Sequence, residues 1–310
     1  MLQTLTEEQI AHVRREVDEY RDSGECVIKL GAGLSLYYKG TFKENAAGLL
    51  QFYRTAIGHI GPFVKFFHVN GKNQPAKLKK DTLDLLPFWA SATYPEQAMY
   101  GLCLESGPEK YDMSDRAFNL WEGAHQGQVR LMLPLEFVAH DPTAFVELAK
   151  VACDGITLWS GTGGFALNMY PDYPSVLPNR RVAFVANRFL GIDVEPFGGL
   201  ASSADKGIKD INWLTLVGDV FLARIGGRDA VRHQLRPLAG VAVHDLQHGI
   251  MIQAGPAPAF GDVNRRERLD LYYEIGRTLR PLMIPPADLD IRNRIGGVEQ
   301  SEKWVYRFFQ

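Results

Sequence analysis

No apolar run in this chain is longer than a β-strand: the most continuous ones, such as Leu131–Leu135 and Val182–Val185, are short. A helix crossing a bilayer needs roughly 18–20 apolar residues in a row, so the chain is predicted not to cross a membrane. Between these runs lie segments whose apolar residues recur at helical spacing, and a chain built this way must interleave strands with amphipathic helices. Thr6 and Gln9 form a capping-box pattern ahead of Ile10, Val13, Val17 and Tyr20, which predicts a first helix to about Asp22. Cys26 to Tyr38 reads as a strand, or a pair of strands broken around Gly31 and Gly33. A second helix is expected from about Lys43, stopped by Gly61 and Pro62.

Strands are then expected at Phe63 to Val69, closed by the turn Asn70-Gly71, at Met99 to Leu104 and at Val129 to Phe137. Asp141 opens a helix to about Val151. In the second half the pattern predicts a strand at Phe165 to Met169, a helix at Arg181 to Leu190, an apolar β-branched run at Ile211 to Leu216 and a short helix at Asp219 to Ile225. A hairpin of Val241 to Val243 with Ile250 to Gln253, a long helix from about Asn264 to Leu279 and a terminal strand alternating through Trp304, Tyr306 and Phe308 complete it. The fold class expected is α+β, or mixed α/β, with two subdomains (1–160 and 161–310), each a mostly antiparallel sheet with packed helices. One internal echo aligns Leu50, Tyr53, Ala56, Ile60 and Pro62 with Leu269, Tyr272, Ile275, Leu279 and Pro281 at constant offset, as a duplication or as coincident core periodicity.

Charge narrows the function classes. With 34 basic and 36 acidic residues the net charge is -2, which lacks the basic face of a direct nucleic-acid binder. The lysines Lys72, Lys77, Lys79 and Lys80 read as a solvated loop. The first twenty residues carry Glu7, Glu8 and Glu16 in place of a signal peptide's cationic start and apolar core, so a cytoplasmic location is expected. Cys26, Cys103 and Cys153, an odd number without metal-ligand spacing, read as buried thiols in a reducing compartment.

The search for reactive motifs returns little. Neither a phosphate-binding GxxxxGK[ST] loop nor a GxSxG nucleophile elbow occurs. Ser160-Gly161-Thr162-Gly163-Gly164 is expected to be a tight turn, because an apolar strand follows it where a cofactor loop would need a helix N-terminus. His244 and His248, four apart with Asp245 between them, have zinc-site spacing only on a helix, and their flanks predict a hairpin. An enzyme using the Gly161–Gly164 segment or the His244/His248 pair is therefore the alternative reading, and no catalytic residue, metal or cofactor is assigned.

The strings Gly163-Gly164-Phe165-Ala166-Leu167-Asn168, Leu190-Gly191-Ile192-Asp193, Lys206-Gly207-Ile208, Ile211-Asn212-Trp213-Leu214-Thr215 and Gly218-Asp219 point further. With Ile225-Gly226-Gly227, Gln253-Ala254-Gly255-Pro256, Pro258, Gly261-Asp262, Asn264-Arg265, Trp304 and Arg307-Phe308, they resemble a bacterial family once listed as a domain of unknown function and now described as type VI secretion immunity proteins. The resemblance spans about Asp141 to Phe309. It implies a non-enzymatic antitoxin that binds and occludes a cognate antibacterial toxin, with a nuclease favoured; an adaptor of the secretion apparatus is a further alternative. The partners expected are that toxin, with no direct nucleic acid and no membrane, and a homodimer is left open. A nuclease needs a positively charged cleft, so acidic loops carrying aromatics are the expected toxin-binding residues: Glu105, Glu109, Tyr111 and Asp112 in one turn-rich stretch, and Tyr170, Asp172 and Tyr173 in a Pro-rich loop.

Overall fold

The computed structural model describes residues 5–21, 24–69, 74–123, 126–169, 176–195, 197–290 and 295–309, with the backbone alone at 176–179. The expected Asn70-Gly71 turn lies outside them. The chain runs α1 (Glu7–Val17), β1 (Glu19–Tyr20), β2 (Cys26–Lys39), α2 (Ala46–Ile60), β3 (Phe66–Val69), β4 (Ala76–Lys77), α3 (Leu85–Ala90), β5 (Tyr100–Glu105), β6 (Ala117–Glu122) and β7 (Gln126–Leu133). It continues through α4 (Leu135–His140), α5 (Pro142–Cys153), β8 (Leu158–Met169), α6 (Val176–Arg188), β9 (Leu214–Gly218), α7 (Asp219–Leu222) and α8 (Gly227–Leu235). A hairpin, β10 (Val241–Leu246) and β11 (Gly249–Ala254), then α9 (Asp270–Leu279) and α10 (Val298–Val305), complete it.

The α+β class holds, and the strands expected as two sheets are hydrogen-bonded into one. Its order is β10-β11-β9-β8-β2-β7-β6-β5-β3-β4, with β1 paired to β2. Every strand pairing is antiparallel among the described residues. Residue 160 falls inside β8, whose ladder with β2 runs from Ile28↔Met169 to Tyr38↔Leu158 with one irregularity at Tyr37/Tyr38.

That central pair corrects two expectations. β2 is continuous through Gly31 and Gly33, and Gly161 to Gly164 is strand, with no tight turn. The glycines are there for clearance. A Cβ on Gly33 would sit 2.7 Å from the Cβ of Ala166, and one on Gly161 would sit 2.6 Å from the backbone oxygen of Ser35. Interior glycine weakens an isolated strand, but in a doubly covered sheet it also marks where a neighbour comes close.

One face of the sheet is apolar. Phe52 and Tyr53 of α2 meet Phe118 of β6, with ring centroids 6.2 and 5.1 Å apart, and Phe145 of α5 approaches Trp213 at 5.9 Å. The opposite face carries a row in register across four strands: Arg130 of β7 opposite Ser35 of β2, Ser35 opposite Thr162 of β8, and Thr162 opposite Thr215 of β9. All four are buried. Side chains alternate across a strand, so one row buried this deeply demands a polar layer above it.

Several boundaries move for identifiable reasons. The capping box at Thr6 and Gln9 is present, but α1 stops at Val17, where Asp18 turns extended and accepts the backbone N–H of Leu30 at 2.8 Å. β7 ends at Leu133 because Pro134 starts α4. α2 begins at Ala46, and α9 is shorter than expected because residues 263–265 form a separate 3₁₀ turn. The terminal segment is helical: Ser301, Trp304 and Val305 bury at helical spacing, so the alternation of 304, 306 and 308 misled. β6 and α8 were not anticipated. Both helices of the internal echo run into a 3₁₀ turn carrying proline, Gly61–Phe63 and Arg280–Leu282.

Trp213 is fully buried, and its indole N–H donates to the carbonyl of Gly255 at 2.9 Å. Trp213→Ala therefore leaves a cavity and removes one of the two side-chain donors to that carbonyl, Gln253 being the other at 3.0 Å. We expect a loss of about 3–5 kcal/mol in denaturant unfolding, the range for large aromatic truncations; an unchanged midpoint would place Trp213 outside the core.

Candidate functional site

The densest chemistry in the molecule sits on the polar face of the sheet. The segment following α6 crosses it, bringing Asp193, Glu195 and Lys209 over the Arg130–Ser35–Thr162 row, all three at most 3% exposed in their side chains. The Lys209 ammonium donates to Asp193 at 2.7 Å and to Glu195. Thr162 donates its hydroxyl to Asp193 at 3.0 Å, and the Tyr37 hydroxyl donates to Glu195. Arg130 donates to the carbonyls of Glu195 and Leu167 at 3.1 and 2.9 Å, and the backbone N–H of Leu200 donates to Glu195 at 2.9 Å. Two cations face two carboxylates, so the layer is neutral.

Electrostatics follow from that pairing. Burial pushes the Asp193 carboxyl up, but Lys209 and Arg130 outweigh it and hold it at about 2. Burial pulls Lys209 down, and the two carboxylates more than restore it, so it stays charged above its ordinary value. Tyr37 is driven well above the ordinary phenol range by burial and by Glu195. A lysine, two acids and a tyrosine in one cluster resemble catalytic machinery, yet each charge is already spent on its neighbour and solvent does not reach them. This layer fastens the 193–212 segment to the sheet. A second clamp repeats the device: Arg307 donates to Asp210 at 2.9 Å, to the Leu190 carbonyl at 2.9 Å and to the Trp304 carbonyl at 2.6 Å. It ties the C-terminal segment to the same region.

The residues expected to touch the toxin are not displayed together. Asp112 is buried and accepts the backbone N–H of Cys26, while Met113 N–H donates to the Cys26 carbonyl at 2.8 Å, so this part of the loop is stitched to the start of β2. Glu105 ends β5 half-buried, 3.3 Å from the Asn168 amide. Burial pushes its carboxyl up to about 8 against that hydrogen bond, so it is largely uncharged at neutral pH. Glu109 is exposed and Tyr111 half-buried. Tyr170, Asp172 and Tyr173 lie outside the described residues.

The features behind the enzymatic alternative are also placed. Gly161 to Gly164 lie within β8. His244 sits in β10 with its Nε2 3.0 Å from the Gln253 side-chain oxygen, and His248 occupies the two-residue turn before β11. Among the described residues no group of three or more His, Cys, Asp or Glu is placed to hold a metal ion. Cys26 and Cys153 are buried free thiols and Cys103, expected to be buried, is half-buried. Burial raises Cys26 to about 12 and Cys153 above its ordinary value, which suppresses the thiolate.

Sequence reasoning missed the Lys209 layer and the Arg307 clamp. The available signal was the pair Lys209-Asp210 inside the apolar run from Gly207 to Trp213, since charges in such a run must find buried partners.

The model of the TsiV family, described as type VI immunity for VRR-NUC, matches residues 48–308, reaching well before the Asp141 at which the sequence resemblance became readable. No curated protein matches the chain. Among solved structures, the Pseudomonas aeruginosa T6SS protein PA0821 superposes with a TM-score of 0.77 at 21% identity, over 97% of this chain and 90% of that one, a likeness of fold.

Two predictions arise from these environments. Lys209→Met leaves Asp193 and Glu195 buried without their cation, and we expect about 3–5 kcal/mol lost in denaturant unfolding, with Lys209→Arg less severe. Glu105 has a folded pKa of about 8 against an ordinary 4.5, so its contribution to stability is complete at low pH and drains away as pH rises through that interval. Glu105→Gln should therefore raise the melting temperature over the parent more at pH 8.5 than at pH 5, and an equal difference at both would contradict the assignment.

Proposed function

The chain belongs to the TsiV family of type VI immunity proteins for VRR-NUC, and from that premise we propose that it protects its own cell by binding a VRR-NUC nuclease toxin stoichiometrically. The observation that carries the mechanism is the state of its charged clusters. The arrangement that most resembles a catalytic centre among the described residues, around Lys209, is buried and internally neutralised. What the protein offers a partner is a surface to bind, with the buried cluster serving the scaffold beneath it.

A nuclease acts where nucleic acid is, which places the encounter in the cytosol, and blocking requires only that the nuclease's substrate cleft be covered. Of the acidic stretch at 105–116, Glu109 with Tyr111 beside it is the part still able to face a basic surface. Asp112 holds β2 in place, so reversing its charge would test folding before binding.

Co-expression with the VRR-NUC toxin should restore growth of cells carrying an active toxin, and the two proteins should co-elute in a fixed ratio from size exclusion. Rescue without a complex would indicate an enzymatic antidote. Within the complex, Glu109→Lys should weaken affinity about tenfold at low salt, or about 1.4 kcal/mol, with the loss shrinking as salt is raised; affinity within threefold of the parent would take this loop out of the interface.

A further inference from the structure

α1 separates two surfaces of opposite character. On one side Arg14 reaches Asp115 at 3.4 Å and Glu136 at 2.9 Å, which joins α1 to the loop that carries Glu109. On the other side Gln9 and Val13 of the helix, with Leu5 just before it, line a cavity of about 340 Å³ together with residues from 258 to 268. Its floor is apolar, formed by Val13, Pro258, Ala259 and Phe260, with Phe260 stacked on Phe165 at 4.2 Å. Its charged lining residues are Asp262, Arg265, Glu267 and Arg268.

The acids at this site are already engaged. Asp262 accepts from Arg188 at 3.2 and 3.3 Å and from the Asn264 N–H at 3.0 Å, while Glu267 accepts the Asp262 N–H at 3.0 Å. The arginines are not held in this way. Arg268 is 81% exposed with one exposed partner, Asp270, and Arg265 lies 3.8 Å from Asp262. Arg266, exposed between Arg265 and Glu267 of the cavity lining but not itself part of it, forms no ion pair among the described residues and is the one non-glycine residue with positive φ among them, at 56°. A left-handed conformation carries a steric cost for an arginine that a glycine would not incur. The loop thus keeps a long cationic side chain where its own backbone favours none, and the buried Asp262–Arg188 pair holds it in that shape. Strain kept beside an open cavity points to a binding role.

We propose that this cavity and the arginine loop form a second docking element, which takes a segment of the toxin carrying a carboxylate next to a bulky apolar side chain. The inference rests on the immunity reading above and extends it. Arginine guanidinium is suited to a partner carboxylate because its fork donates two parallel hydrogen bonds, and a pocket of this size accepts one large side chain against its apolar floor. With acidic Glu109 in the loop that Arg14 joins to α1, and the arginines at the cavity, the molecule presents both signs of charge. It therefore fixes the orientation of the toxin as well as its identity.

The test measures affinity of the full-length chain for a catalytically inactivated VRR-NUC toxin at two salt concentrations, together with thermal melts. Arg266→Gly relieves the backbone strain, so its melting temperature should equal or exceed the parent's while its affinity falls at least tenfold. The double variant Arg265→Ala, Arg268→Ala should lose at least as much affinity and flatten the salt dependence. Parent-like affinity, within threefold, in both variants would overturn the docking element while leaving the immunity reading intact. A parent chain that does not bind the toxin would overturn both.

Discussion

The ammonium of Lys209 is the point on which the two sides of this molecule turn. A lysine enclosed with two carboxylates at the centre of an eleven-stranded sheet is costly to bury and costlier to leave unpaired. Its position requires the segment from residue 193 to 212 to lie across β7, β2 and β8, since Arg130, Tyr37 and Thr162 supply the remaining bonds to that segment. Apolar packing of α2 and α5 on the opposite face has no such directional requirement. One face of the sheet is therefore specified by volume, and the other by hydrogen-bond geometry.

How much of this was legible depended on the range of the interaction. Local signals read well: the Thr6–Gln9 box, the Asp141 cap on Ala144, the 241–254 hairpin and the stop at Gly226 are all set by residues within a few positions. Signals whose meaning lay in a distant partner were misread. Glycines that provide clearance between paired strands look, in sequence, like glycines that make turns, and only the fold distinguishes them: a Cβ on Gly33 would lie 2.7 Å from that of Ala166. Asp112 and Glu105 read as surface acids because acids usually are, whereas one ties down β2 and the other loses its charge to burial. Arg266 carried no sequence signal, since its backbone conformation belongs to the fold of the loop around Asp262.

Much of the family resemblance was readable through strings that contribute little to a surface. Asp193, Asn212 and Trp213 are core or network residues, and Gly163 and Gly164 lie in β8. A family of binders can share such a scaffold while each member adjusts its exposed loops to its own partner. This fits with those strings falling on the interior, while Asn264-Arg265, also part of the resemblance, are exposed.

The wiring of the sheet also sets a clock. β2, near the start of the chain, has both of its long neighbours far downstream, at Gln126–Leu133 and Leu158–Met169, and the Lys209 layer comes later still. During synthesis the first long strand waits on the order of ten seconds before β8 has emerged, and such distant pairings are slow to form in any case. A half-made chain offers no finished face to a toxin. A chain halted before residue 209 therefore leaves the buried row of Arg130, Ser35 and Thr162 without the layer that covers it.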